Sequence, residues 1–160
     1  MKKIAIIALV MGILCMAGAS AQGRVGLGLY AGGAFSDGNF GPNGGISIKL
    51  GAFPVLGIQF AGGDNWGFLG ISADYHLVNA APLGSILTWF FGPGLQFNIG
   101  LGDSSAMWNL GLRIPVGLQL WLVRNFELFV DVVPNFSLLS NSGFGIGFGV
   151  GAELGFRFYI

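Results

Sequence analysis

Eight ionisable side chains sit at alternate positions within apolar stretches: Lys49, Asp74, His76, Arg113, Glu127, Asp131, Glu153 and Arg157. Acids and bases in such numbers can pair with one another, line a path for ions or move protons. Ser72, Asp74 and His76 follow at steps of two, which sets a hydroxyl, a carboxylate and an imidazole on one face of an extended strand. Those are the residue types of an acyl-transfer triad, in which histidine takes the serine proton. His76 is the sole histidine and Cys15 the sole cysteine. One histidine with Asp74 is too few ligands for a metal site. Gly26-x-Gly28 and Gly92-Pro-Gly94 make no phosphate loop, because no helix follows to hold the anion.

The elements that must carry these residues are strands. In the last segment Phe144, Ile146, Phe148, Val150, Ala152, Leu154, Phe156, Phe158 and Ile160 take one face, with Glu153, Arg157, Tyr159 and six glycines on the other. Period two recurs from Val25, Ile46, Leu56, Leu69, Trp89, Leu110 and Leu128, which makes eight strands. Turn-rich pieces separate them at Ser36–Asn43, Gly62–Asn65, Gly100–Ala106 and Leu139–Ser142. The alternate joints are Phe53-Pro54, Val78–Ser85 and Val123-Arg124-Asn125. Pro93, Pro115 and Pro134 fall in or near strands, where bulges or strand ends must accommodate a residue that cannot donate to the ladder.

All eight ionisable residues named above lie opposite the apolar face. The other five beyond residue 21 (Arg24, Asp37, Asp64, Asp103 and Arg124) lie in predicted loops or termini. No charge falls on the apolar face, where one would cost about 2–4 kcal/mol at mid-bilayer.

Composition agrees. Of 160 residues, 53% are hydrophobic, 30 are glycine and only 9% are charged, with a formal net charge of zero. A soluble domain carries about 25% charged residues. Disorder and basic nucleic-acid binding are both excluded by these figures, and the chain belongs against a membrane. Residues 1–21 read as a cleaved secretory signal: Lys2 and Lys3, an apolar run from Ile4 to Ala17, then Ala19-Ser20-Ala21. The apolar run is shorter than the ~20 residues of a spanning helix. Cys15 lies within that run, so residues 22–160 contain no cysteine, which excludes disulfides and thiol chemistry.

Eight amphipathic strands of about ten residues each match the tilted span of a membrane strand. Lipid offers nothing to an open edge, so the strands must close. The expected fold is all-β, an eight-stranded antiparallel transmembrane β-barrel in up-and-down order, with both termini on one side. The whole of 22–160 resembles the small outer-membrane barrels of the OmpA-transmembrane-domain and OmpX-like group. Gly155-Phe-Arg-Phe-Tyr-Ile160 is similar to the C-terminal signal that the outer-membrane assembly machinery reads, with Phe156, Phe158 and Ile160 as its apolar positions. Arg113-Ile-Pro115-Val-Gly117, followed by Glu127-Leu-Phe129-Val-Asp131, resembles a stretch of small barrels that carries no known activity.

The resemblance implies an outer-membrane protein surrounded by lipid, monomeric and without cofactor, metal or nucleic-acid partner. The eight lumen charges are expected to form a paired polar core. Phe53, Trp66, Phe68, Tyr75, Trp89 and Trp108, near predicted strand ends, are expected to form aromatic girdles. Some eight-stranded barrels modify lipid A with a Ser/His/acid set at the outer, lipid-facing rim. A periplasmic N-terminus puts His76 near the periplasmic end on the lumen face, which argues against that chemistry here. A non-enzymatic structural or surface-interaction role is therefore expected, with an unknown external ligand. Two rivals stand: a narrow pore for small solutes or ions, and a soluble lipocalin-like barrel with its apolar face inward.

Overall fold

The computed structural model describes residues 24–36, 39–51, 54–63, 66–83, 86–102 and 106–160. The expected signal at 1–21 lies outside them. Alternation of branched or aromatic residues with glycine and polar residues produces eleven strand segments: β1 (Val25–Ser36), β2 (Asn39–Leu50), β3 (Val55–Gly63), β4 (Trp66–Asp74), β5 (Val78–Leu83), β6 (Leu87–Phe91), β7 (Gly94–Gly102), β8 (Ala106–Arg113), β9 (Val116–Val123), β10 (Phe126–Ser140) and β11 (Gly143–Tyr159). Three pairs are halves of one strand: β4 with β5, β6 with β7, and β8 with β9. The result is eight strands.

Every neighbour is antiparallel and every strand pairs with the next, with β11 closing on β1. The register can be followed around the wall. Gly26 pairs with Lys49, Lys49 with Val55, Val55 with Asp74, Asp74 with Gly94 and Gly94 with Arg113. Arg113 pairs with Asn135, Asn135 with Gly149, and Gly149 with Ser36, ten residues beyond the start. That stagger belongs to strands tilted by about 40°. Ten residues of such a strand rise about 25 Å along the barrel axis, the height of an outer-membrane apolar band.

The two ends differ. At the near end Val25 and Ile160 exchange backbone hydrogen bonds of 3.2 and 3.0 Å, and Tyr159 N–H donates to Asn125 O at 2.9 Å. Arg24 adds bonds to Arg124 O and Asn125 Oδ1. The far end carries the turns after β1, β3, β7 and β10, and there β11 overshoots β1 by the six residues from Gly143 to Phe148.

Strand extents correct several expected loops. β2 already begins at Asn39, inside the expected turn Ser36–Asn43. Within the expected joint Val78–Ser85, the residues Val78–Leu83 form β5, hairpinned to β6. Alanine, valine and leucine there pair as readily as the rest, and the local alternation was hidden by Pro82.

The three prolines lie side by side on successive strands. Tyr75 N–H donates to Pro93 O at 2.9 Å, Gly92 N–H to Pro115 O at 3.3 Å, and Ile114 N–H to Pro134 O at 2.8 Å. Each proline accepts one ladder bond and returns none, which is why strands break at 92–93 and 114–115. Pro134 stays inside β10.

Candidate functional site

Alternation sends the eight ionisable residues inward, and the strands stack them in two layers. Near the termini, wholly buried Glu127 on β10 accepts from Arg157 Nη1 at 2.5 Å and from the Tyr159 hydroxyl. Lys49 Nζ on β2 stands 3.7 Å from its second oxygen. Arg157 also donates through Nε to Ser47 at 2.9 Å, and its guanidinium lies 3.9 Å from the Phe129 ring centroid. Two cations thus share one carboxylate. A charge buried in this way must be paired.

The second layer centres on Arg113. Its Nη2 donates to Glu153 Oε1 at 3.1 Å, and its Nε lies 3.1 Å from Asp74 Oδ1 as an ion pair without hydrogen-bond alignment. Gln59 donates to the same Glu153 oxygen at 3.3 Å. Asp131 faces Glu153 in the β10–β11 register, yet its buried Oδ1 has no hydrogen-bond partner among the described residues. Between the layers remains a hole of about 10 Å³, lined by Tyr30, Asp74, His76, Asp131 and others. That is room for about one water.

Ser72, Asp74 and His76 share the lumen face but make no relay. Among the described residues no hydrogen bond joins them; Asp74 is held by Arg113, and the His76 ring stacks on Phe90 at 4.2 Å. His76 Nδ1 is buried and has no hydrogen-bond partner among the described residues. Below it the Thr88 hydroxyl bonds to buried Gln119 at 3.2 Å.

The six aromatic residues expected in girdles separate. Trp89 and Trp108 point outward, Trp89 stacked on Phe91 and Trp108 tilted against Phe97, each with centroids 6.3 Å apart. Tyr75 keeps outward parity between buried Asp74 and His76. Phe53 lies outside the described residues. Trp66 and Phe68 are a correction: they share the parity of Ser72 and Asp74 and line a cavity of about 320 Å³ at the far end of the lumen. Phenylalanine supplies most of the outward aromatic surface instead. Phe156 and Phe158 pack around Phe126, with centroids 6.0 and 4.6 Å from it, and Ile160 is exposed beside them. At the far end Phe136 meets Phe148 at 5.3 Å.

Sequence reasoning left Ser47, Gln59 and Tyr159 out of the charge network. Their inward parity was the available signal; their partners follow only from the register.

No family model and no curated protein matches the chain. Among solved structures it is similar to Neisserial surface protein A, at 15% identity over 86% of this chain and 96% of that one, with a TM-score of 0.56. It is also similar to the N-terminal β-barrel domain of OprF from Pseudomonas aeruginosa, at 20% identity over 86% of this chain and 100% of that one, with a TM-score of 0.54. The likeness is one of fold, the closed eight-stranded antiparallel barrel of the small outer-membrane proteins.

Proposed function

We propose that the chain is an integral protein of a bacterial outer membrane, with a structural or surface-interaction role and no enzymatic activity. One observation carries this: the wall separates a continuous apolar exterior from an interior holding every described strand charge. Leu29, Leu69, Leu112, Val130 and Leu154 all turn outward and exposed, while Lys49, Arg113, Glu127 and Arg157 are buried. Water would penalise that exterior; lipid favours it. A soluble lipocalin-like barrel needs the opposite arrangement.

In this proposal the signal at 1–21 exports the chain, and the assembly machinery reads Phe156, Phe158 and Ile160. The folded monomer then stands in lipid with its termini in the periplasm. The far-end turns face outward, and any surface interaction falls to them and to the lumen mouth. Against catalysis stands the engagement of Asp74 by Arg113.

Removal of residues 1–21 with Cys15 leaves no thiol, so orientation is read by single cysteines. In intact cells a membrane-impermeant maleimide is expected to label Ser142→Cys at the far end but Arg124→Cys at the near end only after lysis. Labelling in the reverse order would overturn the orientation. Recovery of the folded protein in the soluble fraction would overturn the membrane assignment.

A further inference from the structure

The two rims of the barrel carry opposite charge. Asp37, Asp64 and Asp103 lie in sequence between strands that join at the far end. The near-end connections, residues 51–54, 84–86 and 124–125, contain one ionisable side chain, Arg124, and Arg24 stands just ahead of β1. The fold brings these two arginines together. Arg24 Nη1 donates to the Arg124 carbonyl at 3.0 Å and to Asn125 Oδ1 at 3.2 Å, reaching from β1 past the end of β11 to the β9–β10 turn.

Neither charge is answered within the protein. Both residues are exposed, and both acceptors that Arg24 uses are neutral. Among the described residues no ion pair within 4 Å engages either guanidinium, because the carboxylate side chains Asp74, Glu127, Asp131 and Glu153 are all committed to the lumen. Two like charges held side by side favour an anion that bridges them. A guanidinium presents paired N–H groups that match the oxygens of a phosphate. The surface beside the pair is apolar. Val123 and Phe126 flank the Arg124 turn, Phe126 packs on Phe156 and Phe158, and Val123, Phe158 and Ile160 are exposed. Cations at the border of a lipid-facing wall stand at the depth of lipid headgroups.

We propose that this rim holds one anionic phospholipid, of the phosphatidylglycerol class. Its phosphodiester lies between the Arg24 and Arg124 guanidiniums, and its acyl chains run along the apolar wall beside Phe126 and Phe158. This deepens the membrane-barrel reading and rests on it, but not on which side of the membrane the near end faces.

The full chain is assembled in vesicles of equal phosphatidylglycerol and phosphatidylcholine with the same acyl chains. It is then extracted in a mild non-ionic detergent, and the phospholipid that copurifies is quantified. Protein-free micelles carried through the same steps set the background. About one phosphatidylglycerol per barrel is expected, enriched over phosphatidylcholine. Arg124→Gln and Arg24→Gln are each expected to lower that enrichment about fivefold, the attraction of one arginine to an anionic lipid, and together to abolish it. Arg124→Gln combined with Ser142→Arg keeps the net charge but moves one cation to the far-end turn, and is expected to match Arg124→Gln alone. Each variant is first shown to keep the unboiled gel mobility of a closed barrel. Equal copurification of the two lipids by the parent, or enrichment that survives loss of both arginines, overturns the site. Enrichment restored by Ser142→Arg also overturns it, because net charge rather than this rim would then select the lipid. None of these outcomes touches the membrane-barrel reading, which the gel mobility reports separately.

Discussion

Glu127 shows what a single buried charge does in this barrel. It accepts from Arg157 and Tyr159 and stands within ion-pair reach of Lys49. Glu127→Ala strands two cations in the interior, and breaking such a pair costs about 3–5 kcal/mol. The urea midpoint of the heat-modifiable folded band is expected to fall accordingly. Asp131 provides the contrast. It faces a second carboxylate, Glu153, and no ion pair within 4 Å engages it among the described residues. Asp131→Asn therefore removes a like-charge contact, and its midpoint is expected to stay within about 1 kcal/mol of the parent or to rise. Which residues face inward was legible from period two alone, because the charges obey it without exception. Which inward residues touch was not: Tyr159 and Glu127 are neighbours only through the β10–β11 register. Trp66 and Phe68 were assigned to girdles from their nearness to strand ends, although their shared parity with Ser72 and Asp74 already placed them inside.

At the scale of strands, register depends on where two backbones can approach. A Cβ on Gly28 would fall against the Phe156 carbonyl and the Arg157 backbone of β11, atoms that cannot swing aside as a side chain can. Gly28 thus sits on the seam that closes the barrel. Gly145, on the overshooting part of β11, has nothing within 4 Å of the same position. Gly28→Ala is expected to cost at least the 1–3 kcal/mol of ordinary overpacking, seen as loss of the fast-migrating unboiled band on refolding into micelles. Gly145→Ala is expected to refold like the parent. Equal behaviour of the two would show that β1 and β11 close less tightly than their register implies. Eight strands could be counted from alternation, because an apolar exterior on one side and a polar lumen on the other enforce it strand by strand. The Val78–Ser85 region escaped because Pro82 interrupts the pattern. The breaks at Pro93 and Pro115 were foreseeable as interruptions, but their alignment with Pro134 across three strands is a property of the stagger.

For the whole molecule, the question is whether water runs through it. The many lumen-facing glycines favour a wide lumen, and the lumen face carries both signs of charge, so sequence alone left a narrow pore open. Volume closes it. Glu127, Arg157, Lys49 and Tyr159 fill one cross-section, while Arg113, Asp74, Glu153 and Gln59 fill the next; between them remains a hole of about 10 Å³. A hydrated ion needs several waters at once, and an eight-stranded wall has space for side chains or one small ligand. The parent protein is therefore expected to give no resolved current steps in a planar bilayer at either polarity. Replacing Arg113 and Glu153 together by serine removes a bonded cation and anion in balance, so the remaining interior stays nearly neutral while its centre empties. That double variant still retains the Glu127 layer and is expected to remain closed. Adding Glu127→Ser and Arg157→Ser opens both cross-sections, and steps are expected only then. Steps in the parent would show that the layers part and would restore the pore. Silence in the fourfold variant, with its barrel mobility intact, would mean that Phe129, Tyr30 and the Trp66 and Phe68 rings of the far-end cavity also bar the path.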